Sequence, residues 1–276
     1  MVLVWSLGFG AWCLYFLMQR ILLQLGPLTI YSYGVMMVVA FLTVTWLAEQ
    51  DARRLPPQHP AVTPPQVVDL LCLGMLGGIV GARLLYVMQY WAVYRQHLQE
   101  ILAIWHGGLI WYGGLLGGLL AAAIYLRIAH IAFLRAMDQC IPYLALAHAI
   151  GRIGCFLNGC CYGLPTTAWY GVRFPDQLGP VIPTQLTESA LLLVFFLLLR
   201  RWQRTAVMEH RGRLFSIYLI GYGVIRFGVE FLRGDQQHYW LGLSVAQFLS
   251  VGLVVVGLIV FVAARHVLRR GRVAHQ

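Results

Sequence analysis

Long apolar runs separated by short polar loops recur along this chain. The runs are continuous and too long for strands, so they predict helices. About 17–25 apolar residues suffice for a helix to cross a bilayer. Seven such runs are found, near residues 29–48, 67–90, 108–127, 138–157, 185–200, 214–232 and 241–264. The fifth is the shortest. The pattern predicts an all-α integral membrane protein of about seven transmembrane helices with a small extracytoplasmic cap. The cap is expected near 158–184, a stretch rich in Gly, Pro and Thr and long for a plain loop. Residues 1–25 are also apolar, but they lack a basic n-region and a clear small-residue cleavage site. They are expected to form an interfacial or re-entrant helix or an extra span, ahead of a polytopic membrane domain at 26–276.

Polar residues interrupt the runs at one end only. Loop charge sets the orientation. One set of loops and the tail hold Arg53, Arg54, Arg127, Arg135, Arg200, Arg201, Arg204, Arg211, Arg213, Arg265, Arg269, Arg270 and Arg272; the opposite set holds Arg95, Arg173 and Arg233. The positive-inside rule places the first set and the C-terminus in the cytoplasm. The outer ends then carry Tyr31 and Tyr33; Arg83 and Tyr86; Tyr112; Arg152, Cys155 and Asn158; Gln185 and Glu188; Arg226, Glu230 and Arg233; and Gln247. A charged side chain within a span costs about 2.5–3.5 kcal/mol on insertion scales. Five of them at one face, Arg83, Arg152, Glu188, Arg226 and Glu230, point to a site for something polar rather than to packing.

Composition narrows the classes. The 276 residues are 60% hydrophobic and 11% charged, with mean hydropathy +0.72; soluble domains carry about 25% charged residues. The formal charge of +10 sits in short loops, which marks topology and excludes a nucleic-acid partner. Six cysteines, mostly within apolar runs, do not form a secreted disulfide framework. The pairs Gly74/Gly78, Gly77/Gly81, Gly113/Gly117 and Gly114/Gly118 have the small-xxx-small spacing of tightly packed membrane helices.

Three segments carry chemistry. Arg226, Glu230 and Arg233 are spaced i, i+4, i+7, on one helix face. A guanidinium positioned by a carboxylate suits phosphate, because its planar fork donates two parallel hydrogen bonds; the same pair also serves as a structural ion pair. Arg152 lies in GRIGCFLNGCCYG, whose glycines at 151, 154, 159 and 163 permit close backbone approach. Cys155, Cys160 and Cys161 there admit three readings: packing, a redox pair, or a metal site, the last disfavoured because C-x4-C-C lacks the usual C-x2-C zinc spacing. In PTQLTESALLL, Gln185 and Glu188 look like a helix start, in which a carboxylate caps the first turn.

GRIGCFLNGCCYG resembles the G-R-x-G-N-F-x-N-x-E-x-x-G signature of the prolipoprotein diacylglyceryl transferases. LGPLTIYSYGVMM is similar to that family's opening span, GARLLY to its G-x-R-x-x-Y segment, and HGGLIWYGGLLGG to H/D-G-G-x-x-x-H-G-G. PTQLTE resembles P-S/T-Q-L-Y-E, and IGYGVIRFGVEFLRGD resembles G-x-x-R-F-x-x-E-x-x-R. Six motifs in order cover about residues 26–265.

The resemblance implies that a diacylglyceryl group moves from phosphatidylglycerol to the lipobox cysteine thiol of a prolipoprotein signal peptide. A thioether forms and glycerol phosphate leaves. It places the chain in the bacterial inner membrane, multi-pass, with its site on the extracytoplasmic side, and implies no cofactor and no metal. Together with the convergence of polar residues, it gives Arg152, Arg226, Glu230, Tyr33 and Tyr112 as catalytic candidates. Arg83, Asn158, Gln185, Glu188, Arg233 and Gly163 are the substrate-binding candidates. Arg152 and Arg226 are assigned to the phosphate, and Glu230 to orienting Arg226; the group that deprotonates the thiol is left open. The chain departs from the family pattern at Cys155 (usually Asn), Cys160 (usually Glu), Tyr112 (often His) and Thr187 (often Tyr). Three competing readings remain: a paralogous lipid transferase with another acceptor, a membrane thiol oxidoreductase, and a transporter. The last lacks polar residues through the inner halves of the spans.

Overall fold

The computed structural model describes residues 20–25, 28–54, 61–104, 107–205, 212–235 and 242–273. Residues 1–19, Gly26, Pro27, His106 and Arg211, on which parts of the sequence reading fall, lie outside them. Seven long helices follow the seven apolar runs: α1 (Ser32–Arg54), α2 (Pro64–Gln89), α3 (Trp111–Ile128), α4 (Phe133–Asn158), α5 (Thr184–Thr205), α6 (Arg213–Glu230) and α7 (Val245–Val273). Among the described residues five stretches are long and apolar enough to cross a membrane: α1 to α4 and Val245–Arg265 of α7. The other two helices, α5 and α6, are each interrupted by ionisable residues. Within its 18 residues α6 carries Arg213, Arg226 and Glu230, and α5 carries Glu188, Arg200 and Arg201. Leu115, Leu116, Leu119, Leu120 and Ile124 of α3, and Val255, Val256, Leu258, Ile259 and Val262 of α7, are exposed. Such continuous apolar surface suits lipid rather than water.

The last residues of the N-terminal segment are extended rather than helical. Ile21–Leu25 is a strand, β1, paired antiparallel with β2 (Leu28–Tyr31). These last residues of the 1–25 segment are therefore neither an interfacial helix nor a span. Five residues followed by Gly-Pro are too short to span, and that dipeptide marks a turn. Tyr31 consequently ends a strand instead of opening the first helix. Ser32, whose backbone N–H donates to the Arg20 carbonyl at 3.0 Å, begins α1.

The chain divides into two compact units, one of Met1–Val44 with Cys140–Gln276 and one of Thr45–Gln139. In the second unit α2 and α3 pack backbone to backbone along the small-residue stripes. A Cβ added to Gly81 would lie 2.3 Å from the Gly113 carbonyl oxygen, and one on Gly117 would lie 2.3 Å from that of Gly77. No side chain fits there. Gly117→Val is expected to cost ~2 kcal/mol or more by overpacking, read as a lower melting temperature in detergent. An unchanged melt would show that the stripe is not a packing seam.

In the first unit α4 and α6 end where α5 and α7 begin, so the polar ends of four helices meet at one end. The chain between α4 and α5 is the cap. Val172 and Val181 exchange backbone hydrogen bonds of 3.0 and 2.9 Å, and Phe174 and Val181 form a buried cluster with Phe156 of α4. The cap is also stitched to the end of α6. Leu164 N–H donates to the Leu232 carbonyl at 2.9 Å, and Gly234 N–H to that of Tyr162 at 3.2 Å.

Candidate active site

Gly163 lies at this stitch, bridged to Arg233. A Cβ on it would meet the Ile182 and Leu232 carbonyl oxygens at 2.7 Å each. Its contribution is close backbone approach. Gly163→Ala is expected to push the cap from α6 and to lower the melting temperature while displacing Arg233. Wild-type stability and activity would exclude this role.

The charged residues of α4, α5 and α6 form one chain of alternating sign. Glu188 Oε2 lies 3.0 Å from Arg152 Nε and 3.7 Å from Arg226 Nη1. Arg226 Nη2 lies 2.7 Å from Glu230 Oε2, one helical turn on. Arg233, just past the end of α6, places Nη1 3.8 Å from the same oxygen and grips Asp235 with two hydrogen bonds of 2.9 Å. Glu188 and Glu230 are 2% and 1% exposed. Burying single charges this deeply is prohibitive, and pairing is what makes it tolerable.

Glu188 is therefore not a helix cap. It occupies the second turn of α5, and its carboxylate is spent on two arginines from neighbouring helices. The start of α5 is fixed differently: Thr184 Oγ1 donates to the Cys161 carbonyl at 2.8 Å, and Gln185 Nε2 to that of Cys160 at 2.7 Å. These two bonds tie the GCC turn to α5.

Two contributors escaped the sequence reading. Ser244 Oγ donates to Glu230 Oε1 at 2.6 Å, and Asp235 clamps Arg233. Ser244 also forms a reciprocal pair with Gln247: its N–H donates to Gln247 Oε1 at 2.9 Å, and its hydroxyl accepts from Gln247 N–H at 3.3 Å. S-x-x-Q before an apolar run is a capping-box signal and was legible as such; its link to Glu230 was not. Ser244→Ala removes both the cap and a hydrogen bond to a buried carboxylate. It is expected to cost about 1–3 kcal/mol, measured by thermal unfolding; a change within error would place Glu230's support elsewhere.

Several groups here are left unspent. Arg152 meets Glu188 through Nε at 3.0 Å. Arg226 Nη1, Glu188 Oε1, Gln185 Oε1 and Gln247 Nε2 are buried without a hydrogen bond. Clusters of such atoms are uncommon and call for an explanation. Beside them, the Sγ atoms of Cys155, Cys160 and Cys161 all lie within 4.8 Å of one another. Hydrogen bonds from Cys155 and Cys161 hold the Cys160 thiol below its usual pKa.

Other candidates are placed as follows. Tyr33 stands in the first turn of α1, where a Cβ on Gly154 would lie 3.3 Å from its ring. Asn158 ends α4, and its carbonyl accepts from Arg20 Nε at 3.0 Å. Arg83 and Tyr112 belong to the other unit. Arg83 is buried and spends its guanidinium on backbone: Nε on the Ile101 carbonyl at 2.9 Å, Nη1 on those of Gly107 and Gly108 at 2.8 and 3.1 Å, and Nη2 on that of Glu100 at 2.5 Å. Its evident work is to order the α2–α3 connection. Tyr112, half exposed, packs edge-on against Trp111.

Fold and site together define a helical integral membrane protein with a buried arginine–carboxylate chain at one end of its helices. The sequence model of the prolipoprotein diacylglyceryl transferases matches residues 20–263. Proteins named phosphatidylglycerol–prolipoprotein diacylglyceryl transferase are similar along nearly their whole length. That of Clostridium tetani (strain Massachusetts / E88) is 36% identical over 88% of this chain and 97% of its own. That of Nitrosospira multiformis is 37% identical over 88% and 86%, and that of Geobacillus kaustophilus 36% over 90% and 93%. The chain belongs to the prolipoprotein diacylglyceryl transferase family.

Proposed function

We infer that this chain transfers the diacylglyceryl group of phosphatidylglycerol to the lipobox cysteine of a prolipoprotein signal peptide. The names of its relatives support the donor and the acceptor class. The observation that carries the reading is the pair Arg152 and Arg226, held to one carboxylate, with Arg226 Nη1 buried and without a hydrogen bond. In the reaction a thiolate sulfur attacks the glyceryl methylene carbon, and the carbon–oxygen bond to phosphate breaks. The phosphodiester monoanion becomes a phosphate monoester, so charge grows on the departing oxygen. Guanidinium donors fixed beforehand in a low-dielectric site stabilise that growth. Glu188 and Glu230 hold the two arginines in register, and Ser244 holds Glu230.

All seven long helices cross the inner membrane in this reading, α5 and α6 included, because their charges neutralise one another. The arginine-rich loops and the C-terminus face the cytoplasm. The site opens on the extracytoplasmic side, where the acceptor arrives. Tyr33, Asn158 and Gln185 line it from α1, α4 and α5. The test is release of glycerol phosphate from phosphatidylglycerol vesicles carrying the purified chain. Release that starts with a lipobox peptide, and not with its Cys→Ser counterpart, supports the reading; release independent of the peptide thiol rejects it.

A further inference from the structure

Three thiols beside Arg152 have no part in the scheme above. The Cys160 and Cys161 sulfurs are 3.7 Å apart, and all three sulfurs lie within 4.8 Å of one another. A disulfide would bring two sulfurs to about 2.0 Å. Three thiolates around one tetrahedral cation, each about 2.3 Å from it, stand about 3.8 Å apart. The spacing C-x4-C-C speaks against a metal, yet the backbone supplies what the spacing lacks. Helix α4 ends at Asn158, Gly159 turns at φ +71°, and Cys160 N–H returns to the Cys155 carbonyl at 3.2 Å. Cys161 then takes φ +66°, a left-handed conformation disfavoured for a residue with a side chain. Thr184 and Gln185 fix this turn through the Cys161 and Cys160 carbonyls. A strained, doubly anchored turn that gathers three thiols is more than cysteine used as a packing residue.

The geometry points to a site for one thiophilic divalent cation of the zinc type, held by Cys155, Cys160 and Cys161, with a fourth position for the acceptor thiol. Among the described residues no histidine or carboxylate joins the three sulfurs. Three protein ligands with one open position is the arrangement of catalytic rather than structural zinc. The role of the fourth position rests on the transferase reading. There the acceptor thiol displaces a bound water and binds as thiolate, and its proton passes to that water, which leaves as hydronium. The thiolate sulfur then bonds to the glyceryl methylene carbon. The carbon–oxygen bond breaks, and its electron pair departs with glycerol phosphate. The thioether product is a neutral, weak ligand, and water replaces it. A side-chain base for the thiol becomes unnecessary, which accounts for a site rich in arginines and paired carboxylates.

The test uses the full chain in lipid nanodiscs. Zinc content is measured after loading and buffer exchange, and Co²⁺ serves as the spectroscopic probe. About one zinc per chain is expected in wild type and in Cys72→Ser, and at least about tenfold less in Cys160→Ala and in the triple Cys155→Ala/Cys160→Ala/Cys161→Ala variant. Thermal melts identify variants that fail to fold, and for those the comparison is made within wild type, with and without chelator. The cobalt form should show thiolate charge-transfer absorption that shifts on adding a lipobox peptide and not its Cys→Ser counterpart. A reduced, folded wild type that takes up no metal overturns the site, as does zinc content unchanged in the triple variant. Metal binding without a peptide-dependent shift overturns the fourth position. Metal binding and shift without any diacylglyceryl transfer would instead reject the transferase reading and leave the site standing.

Discussion

Arg226→Ala should abolish transfer, by about 10³-fold or more. Loss of one donor aimed at a developing oxyanion typically costs 10²–10³-fold, and this substitution does further damage. Arg226 touches both buried carboxylates, Glu188 at 3.7 Å and Glu230 at 2.7 Å. Among the described residues Glu230 then retains Ser244 and a distant Arg233, and Glu188 retains Arg152. Removing one partner of a buried pair costs about 3–5 kcal/mol, because the other charge is left uncompensated; the remaining partners should hold the loss to the lower end. Both activity and melting temperature are therefore expected to fall. Arg226→Ala combined with Glu230→Gln separates the effects. It should recover part of the stability and none of the activity. Recovery of activity in the double variant would show that Arg226 matters only as a counter-ion.

Arg152→Lys is expected to behave differently, losing about 10²-fold in transfer with little change in stability. Arg152 pairs with Glu188, its Nε 3.0 Å from the carboxylate. A lysine ammonium can reach that carboxylate and preserve the ion pair, so the fold should hold. It cannot reproduce the planar, parallel donors that a guanidinium offers a phosphate. The kinetic signature is a fall in kcat larger than the rise in KM for phosphatidylglycerol, as expected when charge growth in the transition state loses its donors. A rise in KM alone would reduce Arg152 to a ground-state binder.

Helix positions were legible because long apolar runs form helices, and the helix bounds fall within a few residues of the runs except at α1, α4, α5 and α7. The α2–α3 seam was legible too, since four glycine pairs at i, i+4 have few other uses in lipid. The hairpin at Ile21–Tyr31 was not, because a short apolar strand and the end of an apolar helix look alike when read by hydrophobicity. At the site, periodicity put Arg226 and Glu230 on one face. It could not reveal that Glu188, on a different helix, is the carboxylate joining Arg152 to Arg226, because that contact spans dozens of residues. A carboxylate shortly after Pro-Thr resembles a cap until the tertiary partners are seen. Ser244 was hidden for the same reason: its local signal, a capping box, is complete without Glu230. The cysteine cluster shows the limit of spacing rules, which assume ordinary backbone. A left-handed residue at Cys161 brings together thiols that sequence intervals keep apart.

The central claim is that this chain makes a thioether from phosphatidylglycerol and a lipobox thiol. The direct measurement is the mass of a lipobox peptide after incubation with the purified chain and phosphatidylglycerol in a bilayer. Wild type should add one diacylglyceryl group at the cysteine, and neither Arg226→Ala nor a Cys→Ser peptide should give that product. A folded, lipid-embedded wild type that leaves the peptide mass unchanged would contradict the account.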